Sequence, residues 1–559
     1  MRYPTFFQLF TLITAAPVLE KRGSPSVTIT FPHATVVGTS LGGVDTFNGI
    51  PFAHSPTGDL RLRPPQPLTS PLGTVQAVLP AAACPQMFFS TSALNFPTDV
   101  LQDILDLPLF QVVNGQEDCL TVSINRPSGA TPSSKLPVLV YIFGGGFELG
   151  SSAMYNGFGW VSDSIKDGLP IVFVAINYRV GGFGFMPGKE ILADGSSNLG
   201  LLDQRMALEW IADNIEAFGG DPSKVTIWGE SAGAISVFNQ MALYNGDNTY
   251  KGSPLFRGGI MDSGSVIPAF SVDGTKGQAV FDAVSGSAGC SSASDQLACL
   301  RTLPYEQFLN AVNSVPGILS YSSVALSYLP RPDGVVLTKS PDLLAESGTF
   351  AQVPFIIGDQ EDEGTLFSLF QGNLSTAADL EQYIESVFFP TASSDALNAL
   401  YAAYPNDPTQ GSPFGTGLAN ILYPQFKRLA AMLGDLTFTL TRRGFLTESA
   451  AVHPNVPTWS YLSSYDYGTP IIGTTHATDI LQVFDNIVPN YAGYSFRSYY
   501  LSFVNSLNPN THSSYRNWPQ WSEKQQLLQT YASFSQIIPD NFRQKAYDTV
   551  TRYTKEFYI

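Results

Sequence analysis

An α/β fold built on a large, mostly parallel central sheet with helices on both faces is what this chain of 559 residues predicts. Three observations carry that prediction. Continuous apolar runs recur, among them Val138-Leu139-Val140-Tyr141-Ile142-Phe143 and residues 171–176 and 353–358; unbroken rather than alternating apolar strands are those covered on both faces. A helical period separates such runs, as in residues 201–218, where Leu202, Met206, Leu208, Trp210, Ile211 and Ile215 fall broadly on one face. Finally, the strand-like Val225-Thr226-Ile227-Trp228 turns through Gly229-Glu230-Ser231-Ala232-Gly233 straight into helix-favouring sequence. Alternating strand and helix signals are the mark of parallel connections.

The chain opens with Met1-Arg2, an apolar run from Phe6 to Ala16 and a dibasic Lys21-Arg22. This predicts a secretory signal and short pro-segment over residues 1–22, and a single domain over 23–559. No later run of about 18 uncharged apolar residues predicts a transmembrane segment. Secretion permits disulfides. Cys84, Cys119, Cys290 and Cys299 allow three pairings, and proximity in the chain favours Cys84–Cys119 and Cys290–Cys299. The sequon Asn373-Leu374-Ser375 marks Asn373 as a glycosylation site on an exposed loop.

Next come strands at 27–30 and 34–37. Gly38-Thr39-Ser40-Leu41-Gly42 fits G-x-S-x-G, but another strand-like run follows it, so Ser40 reads as a hairpin turn. Residues 47–53 and 61–67 read as proline-containing connections. Between Cys84 and Cys119, residues 98–107 place Asp99, Gln102, Asp103 and Asp106 on one helical face and Val100, Leu101, Ile104, Leu105 and Leu107 on the other. An amphipathic helix commonly just rests on a core. On a disulfide-tethered loop, the expectation is a lid that covers an apolar site and opens at a lipid surface.

Net charge is −17, which argues against nucleic acid and anionic membranes as electrostatic partners. Charged residues make up 13% of the chain, about half the usual share. The four cysteines and five histidines show no metal-ligand spacing, and neither a metal nor an organic cofactor is expected.

The strand–turn–helix context of Ser231 is that of a nucleophile elbow, in which a serine hydroxyl is lifted over the start of a helix. Ser231 then needs a base, and the base a carboxylate to fix its tautomer. In α/β-hydrolases the order along the chain is serine, acid, histidine. That order excludes His33 and His54. His453 lies in the approach to a strand and His512 in a polar surface segment, whereas His476 follows a late strand within Gly473-Thr474-Thr475-His476-Ala477. For the acid, residues 359–363 follow the strand at 353–358, where α/β sites form. Asp359, Glu361, Asp362 and Glu363 are equal candidates on this reading. Gly144-Gly145-Gly146 opens from the 138–143 strand and offers backbone N–H groups to an oxyanion.

Residues 218–233, with Phe218-Gly219-Gly220 and Gly229-Glu230-Ser231-Ala232-Gly233, resemble the serine signature of type-B carboxylesterases and lipases, and Glu117-Asp118-Cys119-Leu120 resembles that family's second signature. Asn198-Leu199-Gly200, Asp203-Gln204 and Tyr178-Arg179 also fit, and residues 143–150, 247–252, 327–334 and 358–365 are similar to secreted yeast lipases of the Candida rugosa type. The resemblance implies an α/β-hydrolase fold with a lid, Ser231 as nucleophile, His476 as base and Glu363 as orienting acid. It implies an oxyanion hole from Gly145, Gly146 and Ala232, and disulfides Cys84–Cys119, at the lid's base, and Cys290–Cys299. It places Ile235, Ile318, Ser323, Val324, Ala325, Leu326, Leu366 and Phe367 along an acyl-binding tunnel. The expected activity is hydrolysis of long-chain acylglycerols, with sterol esters beside them, at a lipid–water interface. A soluble esterase for short esters and a catalytically dead binding protein are the rival readings.

Overall fold

The computed structural model describes residues 24–88, 115–466, 469–484 and 489–559. The expected signal segment and the amphipathic stretch at 98–107 lie outside the described residues. The strands in chain order are β1 (Ser26–Thr30), β2 (His33–Val37), β3 (Thr39–Leu41), β4 (Val44–Pro51), β5 (Gly73–Gln76), β6 (Thr121–Pro127), β7 (Leu136–Ile142), β8 (Val172–Ile176), β9 (Gly220–Glu230), β10 (Thr249–Tyr250), β11 (Ser253–Pro254), β12 (Gly258–Asp262), β13 (Phe355–Gln360), β14 (Thr458–Ser463), β15 (Gln526–Thr530) and β16 (Ser535–Pro539). Eleven of them form one sheet in the order β16-β15-β14-β13-β12-β9-β7-β8-β6-β4-β3. From β8 to β15 each neighbouring pair is parallel, and the strands beyond are antiparallel.

β8, β12, β13 and β14 are buried along their whole lengths because helices cover both faces. On β12, the consecutive residues Gly258 and Gly259 point to opposite faces. A side chain on Gly259 would meet Val237 and Met241 of helix α2 (Ala232–Gly246). One on Gly258 would meet Phe503, from the helix at Tyr491–Ser506 on the other side. Under the second face, Trp228 of β9 stacks on Phe484 with centroids 5.2 Å apart and meets Tyr141 and Trp160 edge-on. Its indole N–H donates to Asp262 Oδ2 at 2.6 Å, so this buried ring leaves no polar atom unpaired.

Three expectations need correction. Residues 47–51 are not a connection but the second half of β4. Pro51 is tolerated because β3 pairs only as far as Thr46, leaving the side of Pro51 that lacks an N–H without a strand neighbour. Ser40 lies on β3 rather than in the turn, which is Gly42-Gly43 with φ of +55° and +84°. Helix α1 spans Leu199–Asn214 and continues as a 3₁₀ turn; Leu208, Trp210, Ile211 and Ile215 are buried as expected, but the buried side also takes in polar residues. Asp203 and Gln204 are buried while Leu202 and Met206 are only half-buried. Asp203 is drawn inward by Arg179, whose guanidinium and backbone N–H donate to its two oxygens at 2.7–3.0 Å.

Both disulfides, Cys84–Cys119 and Cys290–Cys299, are formed. Among the described residues no helix is long and apolar enough to cross a membrane.

Candidate active site

Ser231 stands alone between β9 and α2, with φ +57° and ψ −125°. Such a backbone is strained for a residue with a side chain, and the surroundings enforce it. Its N–H donates to Asp262 O on the neighbouring strand at 2.8 Å. The flanking glycines are required by contact rather than by flexibility. A Cβ on Gly229 would lie 2.3 Å from the carbonyl carbon of Gly233, and one on Gly233 would lie 2.0 Å from Ile142 O. The start of α2 is thereby pressed against the end of β7, where the Gly144-Gly145-Gly146 loop begins.

His476 reaches Ser231 from a loop that follows β14. Its Nε2 is 2.7 Å from Ser231 Oγ, and its Nδ1 is 2.5 Å from Glu363 Oε2. All three side chains are buried. With Glu363 accepting from Nδ1–H, Nε2 is left free to accept the serine proton. The other carboxylate oxygen, Glu363 Oε1, accepts the Gln360 N–H at 2.7 Å, which fixes the acid itself. The imidazole is held between the rings of Phe367 and Phe438, with centroids at 4.9 and 4.6 Å.

The four acidic candidates separate cleanly. Asp359 faces away and pairs with Arg442 at 2.6 Å. Glu361 sits apart, its N–H donating to Ser463 O. Asp362 ties three loops together, accepting from Ser412 Oγ, Phe414 N–H and Thr474 N–H at 2.8–3.1 Å. Only Glu363 reaches the histidine. Of the other histidines, His453 ends a helix and its Nε2 is engaged with Gly348 O at 2.9 Å.

Gly145 and Gly146 have φ of +117° and +63°. The loop they form is held by Tyr178, which stacks on Phe143 and donates its hydroxyl proton to Phe143 O at 2.7 Å. Gly145 O accepts the N–H groups of Glu148 and Leu149, both at 3.0 Å. The N–H groups of Gly145, Gly146 and Ala232 donate to no protein acceptor among the described residues, and Ala232 adds the positive end of the α2 dipole.

A narrow pocket opens beside Ser231. Of the residues expected along a tunnel, Ile235, Ile318, Val324, Leu326 and Phe367 line it. Ser323, Ala325 and Leu366 are not on its wall: Ser323 turns its hydroxyl to Phe367 O at 2.8 Å, and Leu366 is buried in the core. Asn239, Ile267, Phe438 and Ile559 line it without having been anticipated. Phe438 sits on a π-helical turn, Asp435–Thr439, a widening that a periodicity count does not register.

Glu230, next to the serine, was also missed. Its Oε1 lies 3.3 Å from His476 Nε2. Burial first, then Asp479, Glu363 and Asp262, pushes its pKa well above the ordinary carboxyl value.

Residues 24–550 match the carboxylesterase family. This chain belongs to the carboxylesterase family. It is 63% identical over 547 residues to "Secreted lipase 1" of Botryotinia fuckeliana, covering 97% of this chain and 95% of the relative. It is 56% identical over 539 residues to "Secreted triacylglycerol lipase LIP1" of Gibberella zeae, covering 96% and 92%. The solved structure of Aspergillus niger EstA is similar with a TM-score of 0.80 and 29% identity, over 96% of this chain and 99% of that one. Carboxylesterase-family membership agrees with the α/β-hydrolase fold and with the resemblance carried by residues 218–233.

Proposed function

We propose that the chain is a secreted serine lipase that hydrolyses long-chain acylglycerols, with sterol esters as a further substrate. The observation that carries this is the unbroken relay Ser231–His476–Glu363 beside an apolar pocket. The lipase names and secretion of the two fungal relatives support it. Residues 1–22 act as signal and pro-segment, and 23–559 as one catalytic domain.

In this mechanism Ser231 Oγ attacks the ester carbonyl carbon as His476 Nε2 takes its proton. The tetrahedral oxyanion is held by the N–H groups of Gly145, Gly146 and Ala232, each such donor contributing about 10²–10³ in rate. The C–O bond breaks and the alcohol leaves with the proton from His476. Water then loses a proton to His476, attacks the acyl-enzyme and releases the acid, and Ser231 recovers its proton. Glu363 holds the imidazole and stabilises its charged form. Asn373, whose side chain meets the exposed Tyr321 hydroxyl, carries an N-glycan. A dead binding protein on this fold would have no need of the intact relay.

The test compares emulsified long-chain triacylglycerol with a soluble short-chain ester. A lipase acts strongly on the emulsion, and its activity rises as a short ester passes its solubility limit. Activity confined to the soluble ester would replace this reading with that of a soluble carboxylesterase.

A further inference from the structure

A second pocket, of about 100 Å³, shares Ile267, Val324, Thr437 and Ile559 with the pocket at Ser231. It is mostly apolar, yet its wall contains two carboxyl side chains, Asp342 and Glu448, and among the described residues no Lys or Arg. Asp342 is only 7% exposed. Its Oδ2 accepts the Tyr558 hydroxyl at 2.7 Å, but its Oδ1 has no partner among the described residues. A buried acceptor without a protein donor takes one from water or from a bound ligand. Burial, then the nearby Asp342 and Glu346, pushes the Glu448 carboxyl up to about 7. Three of the threonine hydroxyls in the wall already donate to backbone carbonyls. Thr441 donates to Thr437 O and Phe438 O, Thr551 to Tyr547 O and Thr554 to Val550 O.

We propose that this second pocket receives the far part of the acyl chain and that Asp342 and Glu448 bind a hydroxyl carried there, so that esters of long-chain hydroxy acids are preferred substrates. The inference rests on the lipase reading, because the chain must enter from Ser231. The apolar wall fits the methylenes. A hydroxyl both donates and accepts, so it can give its proton to Asp342 Oδ1 while its oxygen faces Glu448 across the same wall.

The experiment measures kcat/KM of the full chain on p-nitrophenyl hexadecanoate and on its 10-, 12- and 16-hydroxy derivatives, with active sites counted by organophosphonate titration. The wild type should prefer at least one hydroxy ester by about tenfold, equivalent to about 1.4 kcal/mol. Glu448→Leu should abolish that preference and Glu448→Gln should keep most of it. The Glu448 carboxyl has no hydrogen-bond partner among the described residues, and the titration counts only folded sites. Equal rates on all four esters, or a preference that survives Glu448→Leu, would overturn the inference while leaving the lipase reading intact. No hydrolysis of any of them would overturn both.

Discussion

At the residue scale, the chemistry turns on which of four acids within five positions faces His476. Chain order and strand context narrowed the choice to residues 359–363, but the direction of each side chain is set by partners far away. Arg442 takes Asp359, and Thr474, Ser412 and Phe414 take Asp362. Only the family resemblance singled out Glu363. The distinction has a measurable consequence. Glu363→Gln should keep the fold and lower kcat by about 10³–10⁴, since the imidazole loses its tautomer and its charge partner. Asp362→Asn should do the reverse. It puts an amide N–H₂ against donors, costs about 1–3 kcal/mol, lowers the melting temperature by a few degrees and leaves the kcat of the folded fraction within a few-fold of wild type. Activity assays and calorimetry on both variants check this.

At the element scale, strands were legible wherever burial was symmetric. β7, β8 and β13 announced themselves as apolar runs, and the elbow as strand, tight turn and helix. Legibility failed where a polar residue is buried by a partner, as Asp203 is on α1, or where a proline sits beyond the reach of a neighbouring strand, as Pro51 does on β4. Glu148 belongs with these failures. It leaves the Gly144-Gly145-Gly146 loop, is fully buried, and accepts the Ile318 N–H at 2.7 Å with Oε2 while Oε1 has no partner among the described residues. Ile318 in turn packs on Gly146 and lines the pocket, so Glu148 joins the oxyanion loop to the acyl wall. Burial pushes its pKa up to about 8 from an ordinary 4.5, against the pull of the Ile318 and Tyr328 N–H groups. Between these two values the unfolded chain has released a proton that the folded chain still holds. The stabilisation is therefore complete below pH 4.5 and is lost as pH rises through 8, a change on the order of 4 kcal/mol. Urea unfolding at pH 5, 7 and 9 should show this decline in the wild type and a shallower one in Glu148→Gln. Equal pH slopes would contradict it.

At the scale of the whole molecule, a parallel sheet brings the serine, the acid and the histidine to one edge from the ends of β9, β13 and β14, with 245 residues between Ser231 and His476. That convergence was readable because α/β sites gather at strand ends. The acyl site was less readable, because its walls come from Gly146, Ile235, Ile318, Thr437 and the last residue, Ile559. The end of the chain is fixed there by the buried Arg331, which donates to Ile559 O at 3.0 Å. No local pattern foretells such a contact. The central claim is that Ser231, activated by His476, is the nucleophile. It is tested most directly by treating the protein with a long-chain p-nitrophenyl phosphonate, then digesting it and weighing the peptides. The account predicts a single covalent adduct on the peptide containing Ser231, in proportion to lost activity, and no comparable labelling of His476→Ala. An adduct on another residue, or labelling that proceeds equally fast without His476, would contradict it.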